Sequence, residues 1–200
     1  MNGLVFIRVQ HVMSIFEYLA TMVAIVLGLA AANLLKAFSK TIITINWRGL
    51  GWFLSLWCTI LLLVLLGFFW AFWRLYSESS EISIWEFICV PFFLVICFFL
   101  STEFLPVPEK SEDKIDPYKY FIEARKPFFI TLFLFWAHLT IVPSFIGYEQ
   151  PILEIYFGWL MVILSFSGIL LTTIRAHKIL VLLWSAGFLS QEALQIAIGL

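Results

Sequence analysis

Long apolar runs alternate with short polar stretches along this chain, and their length sets the expected architecture. Crossing the roughly 30 Å hydrocarbon core of a bilayer takes about 20 helical residues, whose backbone groups must hydrogen-bond within the segment. The pattern therefore predicts an all-α fold, a polytopic bundle of about six transmembrane helices forming a single transmembrane domain over residues 1–200. The six runs cover about residues 16–35, 50–73, 82–100, 127–146, 152–173 and 179–198.

The most polar connection, residues 101–126, holds five basic and six acidic residues and is predicted to be a cytoplasmic loop. It is too short to form a core of its own. Residues 117–126 predict a short interfacial helix, with the apolar face that includes Tyr118 in the headgroup layer. Arg125 and Lys126 are expected to contact lipid phosphate. The alternative for this helix is a docking surface for a cytoplasmic partner.

Composition agrees with a chain solvated mainly by lipid. Hydrophobic residues make up 62% of the sequence and charged residues 12%, and the mean hydropathy is +1.01. Such values do not fit a soluble core, and a basic surface for nucleic acid is absent. Cys58, Cys89 and Cys97 lie in apolar runs without CxxC spacing, so we interpret them as packing residues. No metal site and no cofactor are predicted.

Ten of the twelve basic residues fall on one side of a six-helix path, which predicts its orientation. Short loops rich in lysine and arginine stay cytoplasmic, so both termini are expected outside the cytoplasm. The alternative is that the first helix is a signal peptide cleaved after Ala32. Cleavage there would place Lys36, Lys40 and Arg48 outside, against the charge rule, and we favour the uncleaved helix.

Four stretches carry a resemblance to a widespread family of uncharacterised bacterial multi-pass membrane proteins. They are FEYLATMVAIVLGLAAANLL at 16–35, FFWAFWRLY at 68–76, SIWEFICVPFFL with Trp85 and Pro91, and DPYKYFIEARKPFF at 116–129. The resemblance implies a bacterial inner membrane protein and supports the predicted topology, but it implies no activity. Because such proteins resemble MSxFEYL at their start, it also suggests that Met13 is the true beginning and residues 1–12 an upstream extension.

Ionisable groups inside a membrane are costly, so they are candidates for function. His138 lies near the middle of the fourth helix, at a depth matched by Ser165, Ser167, Ser190 and Gln191. One interpretation is a proton relay or solute site. The other, which we favour, is a neutral histidine making one interhelical hydrogen bond. Haem ligation would need a second histidine at that depth, and His177 is predicted to fall in a loop.

Four glutamates lie near the outer ends of the predicted helices, namely Glu17, Glu86, Glu154 and Glu192. Carboxylates at that depth can reach water at modest cost, so each is expected to be solvated. The alternative is that two or three of them face a common vestibule with Arg74. A vestibule of one predominant charge would gather cations or bind an amine.

Small residues recur at every fourth position of the first helix and form one ridge, made of Ala20, Ala24, Gly28 and Ala32. In lipid, helices associate through dispersion and short contacts that small side chains permit, so the ridge is expected to face another helix. We favour a helix of the same chain; the alternative is the first helix of a second copy, which would make a homodimer. Thr21 lies beside the ridge and could add an interhelical hydrogen bond.

No catalytic motif supports an enzyme. The sequence therefore favours a non-enzymatic inner-membrane subunit or helper protein, whose partners are the lipid bilayer, a second copy or other membrane proteins. The alternative is a proton- or cation-coupled small-solute transporter or channel that uses His138 and the outer-face carboxylates.

Overall fold

A computed structural model describes residues 15–44, 51–76, 83–107, 116–145 and 150–198, and this part of the chain contains helices and no strand. Five helical segments are long and apolar enough to cross a membrane, and α7, with 25 residues, is as long as α2. The protein is thus an all-α, multi-pass membrane bundle. Its elements are α1 Ile15–Thr44, α2 Trp52–Tyr76, α3 Ile84–Phe87, a π-helical turn Ile88–Phe92, α4 Phe93–Glu103, α5 Pro117–Phe145, α6 Ile152–Leu170 and α7 Ile174–Ile198.

Successive helices run in alternating directions, so the bundle has two ends. At one end, called the open end, α2 and α5 finish and α3 and α6 begin. At the other, called the closed end, α4 and α6 finish and α5 and α7 begin. Helix α5 packs against both α4 and α6, while α1 packs against α2 and α4, and α7 against α6 and α2. At the closed end, Asn33 of α1 donates a 2.6 Å hydrogen bond to Glu103 of α4.

The third crossing of the bundle changes helix type at Pro91. Proline lacks an N–H group and its ring crowds the preceding turn, so a regular α-helix cannot pass through it unchanged. The chain forms a π-helical turn at Ile88–Phe92 with Pro91 buried inside it, and then continues as α4. Ser83 caps the start of α3 by accepting a 3.1 Å hydrogen bond from the Glu86 backbone N–H.

The predicted interfacial helix at 117–126 is not a separate element, because it continues as α5 through Pro127 to Phe145. Phe121, Arg125, Phe128 and Phe129 recur at three- and four-residue spacing and are all buried. A single buried stripe therefore runs along α5 from its first turns into the bundle. Packing of this stripe outweighs the one backbone hydrogen bond that Pro127 removes.

Glycines allow α5 and α6 to approach closely. A Cβ atom on Gly158 would collide with the side chain of Thr140, and one on Gly168 would collide with the ring of Phe129. Small residues permit this kind of close backbone approach between membrane helices. The α5–α6 pair is therefore fixed by close contact along its length.

Among the described residues, three of the four members of the small-residue ridge of α1 face no neighbouring helix, which differs from the favoured interpretation. Ala20 is buried, but Ala24, Gly28 and Ala32 are exposed, and a Cβ on Gly28 would meet no atom within 4 Å. The buried face of α1 consists mainly of larger residues, namely Phe16, Val23, Leu27 and Leu34, with Ala20 and Ala30 between them. Larger side chains bury more apolar area per contact, and they decide which face turns inward.

Aromatic rings fill the half of the bundle nearer the closed end. The indole of Trp57 contacts Phe128, Phe129 and Trp184, with ring centroids 5.3, 5.7 and 5.5 Å apart. Phe53 and Phe121 extend the cluster at 4.9 Å. All six side chains are completely buried. Mutually edge-on and tilted rings at these distances form a dense core.

Candidate functional site

A cavity of about 500 Å³ enters the bundle from the open end. Its walls come from α2, α3, the π-helical turn, α4, α5, α6 and α7. This volume lies within the range of small-molecule sites, roughly 300–1,000 Å³. The cavity is the structural feature on which the candidate site is built.

Apolar and aromatic side chains form most of the cavity wall, including Phe68, Trp70 and Phe72 of α2. Phe135, Trp136 and Phe188 also line it. Trp136 and Phe188 contact Trp184, at ring-centroid distances of 5.8 and 6.1 Å, and so join the wall to the aromatic core. The cavity therefore ends on the packed half of the bundle.

Charged residues line the same cavity, and among them are four of the predicted candidates: Arg74, Glu86, Glu154 and Glu192. They come from α2, α3, α6 and α7, so no single stretch of sequence carries the group. The structure places them around one vestibule. With the carboxylates ionised, negative charges outnumber positive charges among the described residues of the cavity wall.

Tyr76 adds a phenol at the open end of the cavity. Burial and, to a smaller extent, the nearby carboxylate of Glu86 together raise the pKa of Tyr76 to about 12. Both effects disfavour the phenolate. The phenol therefore keeps its proton at physiological pH and presents an O–H donor beside a carboxylate.

His138 also lines the cavity. Its imidazole lies near the backbone carbonyl of Cys89 in the π-helical turn, and its Nε2 is buried without a hydrogen-bond partner. The ring also contacts Phe93, with centroids 4.6 Å apart. The π-helical turn and α4 thus surround the histidine.

Glu192 reaches into a recess beside Gly67 of α2. Its Oε1 lies 3.6 Å from the position that a Cβ on Gly67 would occupy. A larger residue at position 67 would narrow this recess. Two amide side chains, Gln150 and Gln191, also line the cavity, and in each the Oε1 atom is buried without a hydrogen-bond partner.

Several predicted candidates lie outside the cavity. Glu17 does not line it, although it lies on α1 near the same end, and its backbone carbonyl accepts a 2.7 Å hydrogen bond from Thr21. The hydroxyl of Thr21 therefore makes its hydrogen bond within α1 and not with another helix. Ser165 lies in the aromatic core, where its hydroxyl is 3.4 Å from Trp184 Nε1. Of the polar residues matched in depth to His138, Gln191 shares its cavity.

The closed end holds a second group of polar residues, whose positions differ from those predicted from the sequence. His177, predicted in a loop, lies in the first turn of α7, completely buried between Phe121 and Phe129. Its Nε2 is 3.1 Å from the Leu171 carbonyl. Burial lowers the pKa of His177 to about 4; the Leu171 carbonyl opposes this shift and the charge of Arg125 adds to it.

The side chains predicted to contact lipid at this end are only partly exposed. Arg125 is 5% exposed and donates to the backbone carbonyl of Ile122, so it lies inside the bundle and not on lipid phosphate. The buried stripe of α5 explains this position. Tyr118 is half-buried, and Lys178 lies 5.2 Å from its ring centroid and 5.7 Å from that of Trp52. Lys126 is exposed, as expected.

Sequence reasoning missed Gln150, Tyr76, Thr140 and Gly67 as parts of the site. Gln150 and Tyr76 lie at helix ends, where polar side chains are ordinary. Gly67 is the lone glycine in a run of leucines and aromatic residues. This isolated small residue is the feature of the sequence that could have indicated a recess. Within the described residues, no group of three or more histidine, cysteine or acidic side chains could hold a metal ion.

No protein family, curated protein or solved structure matches this chain. The resemblance to a family of bacterial multi-pass membrane proteins therefore stays a prediction.

Proposed function

We propose that this protein is a membrane carrier that binds a small, partly apolar solute in the cavity at the open end. The supporting observation is the cavity itself, where aromatic walls meet Arg74, Glu86, Glu154, Glu192 and His138. A mostly apolar cavity with a few convergent polar groups is the usual form of a small-molecule site. The proposal is a non-enzymatic function, as the sequence favoured, but it takes the transporter alternative over the subunit.

The shape of the bundle supports a carrier because the two ends differ. The cavity opens at one end, and its wall residues Trp136 and Phe188 pack on the buried ring of Trp184. A carrier needs such a barrier on one side of its site at a time. The cavity wall also contains Pro91 in the π-helical turn and Pro143 in α5, and helices bend preferentially at such positions.

Binding can be tested with purified protein in lipid nanodiscs, screened by thermal unfolding against small aromatic amines, acids and alcohols. A ligand should raise the melting temperature of the wild type and lose its effect in Gly67→Trp, whose indole would fill the recess. Gly28→Trp is the matched control, because Gly28 faces open space. A ligand that stabilised both variants equally would bind elsewhere, and a panel without any stabilising ligand would contradict the proposal.

Transport can be separated from binding in liposomes. A carrier should move the stabilising ligand across the membrane, and a pH-sensitive dye inside the vesicles should report coupled proton movement. His138→Ala should reduce the flux, since His138 lies on the cavity wall. Binding without flux would assign the cavity to a receptor or a subunit instead.

We also propose that the open end faces the outside of a bacterial inner membrane. The described basic residues near the closed end support this orientation, because positive charge favours the cytoplasmic side. They are Lys36, Lys40, Lys119, Arg125, Lys126, Arg175 and Lys178. Reporter fusions after Ile198 and Glu112 should give periplasmic and cytoplasmic signals respectively; the opposite pair would reverse the orientation.

A second candidate function is a subunit of a larger membrane assembly. The exposed face of α1 favours it, since Ala24, Gly28 and Ala32 would allow a helix of another protein or a second copy to approach closely. Co-purification from native membranes in a mild detergent tests this candidate. Loss of a specific partner in Gly28→Leu would support it, whereas recovery of the chain alone would count against it.

A further inference from the structure

The buried polar atoms of the cavity that lack partners are mainly acceptors. In the described part of the chain they include Gln150 Oε1, Gln191 Oε1 and His138 Nε2. A neutral imidazole carries one proton, so His138 Nε2 is an acceptor when Nδ1 holds that proton. Trp136 Nε1 is the one donor among them. A ligand that completes this site must therefore bring mainly N–H or O–H groups.

The charges of the cavity point the same way. Among the described residues that line the cavity, the carboxylates of Glu86 and Glu192 already outnumber the one guanidinium, that of Arg74, so a bound anion would meet net repulsion. A purely apolar ligand would leave the buried acceptors unpaired, which disfavours its binding. A cation that carries N–H donors satisfies both the charge and the acceptors.

The walls specify the rest of the ligand. Trp70, Phe72 and Phe188 offer apolar area, and aromatic faces also attract ammonium groups. Glu192 lies in the recess beside Gly67, and Gln191, whose Oε1 is buried without a partner, lines the same cavity. We propose that the cavity binds a protonated amine with an apolar body, with Glu192, Gln191 and His138 around its ammonium group. This inference rests on the proposed function of the cavity.

Three probes of nearly equal size test the inference: 4-phenylbutylamine, 4-phenylbutan-1-ol and 4-phenylbutyrate. They share one apolar body and differ in charge. Binding to the full chain in nanodiscs can be followed by isothermal titration calorimetry. We expect the amine to bind at least about tenfold more tightly than the alcohol, and the carboxylate to bind more weakly than both.

Glu192→Gln should bring the affinity for the amine close to that for the alcohol, because it removes the negative charge while keeping the shape. Gln191→Met should weaken amine binding by a smaller factor, and it provides a second test if the first variant does not fold. Glu123→Gln is the matched control, since Glu123 lies in an exposed pair with Lys119, 3.8 Å apart, outside the cavity. It should leave all three affinities unchanged.

The outcomes separate this inference from the proposed function. Equal affinities for the three probes, all lost in Gly67→Trp, would leave the cavity as a binding site and overturn the assignment to amines. A preference for the amine that survived in both Glu192→Gln and Gln191→Met would overturn the assignment to these residues. Failure of all three probes to bind the wild type would overturn both the inference and the proposed binding function.

Discussion

The two halves of this bundle use aromatic residues in different ways. Near the closed end, Trp57, Phe128, Phe129 and Trp184 contact one another and are completely buried. Near the open end, aromatic side chains line a cavity of about 500 Å³ together with charged residues. Rings that pack on each other fill space, whereas rings that line a cavity leave a surface for a ligand.

This difference separates stability from function within one small chain. The packed half contains fully buried aromatic side chains from several helices, so substitutions there should unfold the protein. The open half carries the ionisable groups of the cavity, so substitutions among them should change binding and leave the fold intact. The contrast can be tested by pairs of matched substitutions, one in each half.

The largest difference is expected between two tryptophans. Trp184→Ala should destabilise the fold by about 3 to 5 kcal/mol, because it removes a fully buried ring and leaves a void. Trp70→Ala should change the stability by less than about 1 kcal/mol, since its side chain is 70% exposed. Reversible unfolding in mixed detergent micelles measures both. Similar decreases in the free energy of unfolding for the two variants would contradict the proposed difference between the two halves.

A smaller effect is expected from adding volume at glycines. Gly168→Leu should cost about 1 to 3 kcal/mol, because even a Cβ there meets the ring of Phe129. Gly28→Leu should leave the melting temperature unchanged, since its position is open. If Gly28→Leu lowered the stability and also dissolved cross-linked oligomers, the face of α1 would be a contact with a second copy.

The smallest effect concerns His177 and pH. Its pKa is lowered to about 4 in the fold, so between about pH 6.5 and 4 the unfolded chain binds a proton that the folded chain excludes. Stability should therefore fall as the pH drops through this window, and it is fully present above it. In His177→Gln the decrease in the free energy of unfolding over this pH range should be about 1 to 2 kcal/mol smaller. Unfolding titrations at pH 7.5 and 4.5 compare the two proteins, and equal slopes would contradict the buried neutral histidine.

The helices could be predicted from the sequence because a membrane requires long apolar runs. The structure differs from the prediction where contacts with neighbouring helices determine the length or the orientation of a helix. Helix α5 continues through Pro127 because its first turns pack inside the bundle, as the burial of Phe121 and Arg125 shows. Three of the four residues in the small-residue ridge of α1 are exposed and not packed on a described helix. Periodicity could not predict this, because it defines a face without naming its neighbour. His177 was assigned to a loop because an apolar pattern begins only after it.

For the site, the sequence supplied the residues but not their arrangement. Glu86, Glu154, Glu192 and Arg74 could be placed at similar depths from helix length alone. Whether their helices turned the same way could not be derived, because helix rotation depends on packing against neighbours. Glu17 shows this limit, since it has a similar depth and does not line the cavity. The recess at Gly67 depends on a contact between α2 and α7 that no local pattern encodes.

Cysteine labelling tests the central claim, which is that the bundle is open at one end and packed in the other half. Single cysteines at Ala71, which lines the cavity, and at Ser165, which is completely buried, can be placed in a background where Cys58, Cys89 and Cys97 are Ala. A membrane-impermeant maleimide should label Ala71→Cys from the open end and leave Ser165→Cys unlabelled from either side. Equal labelling of both positions, or faster labelling of Ser165→Cys, would contradict the claim.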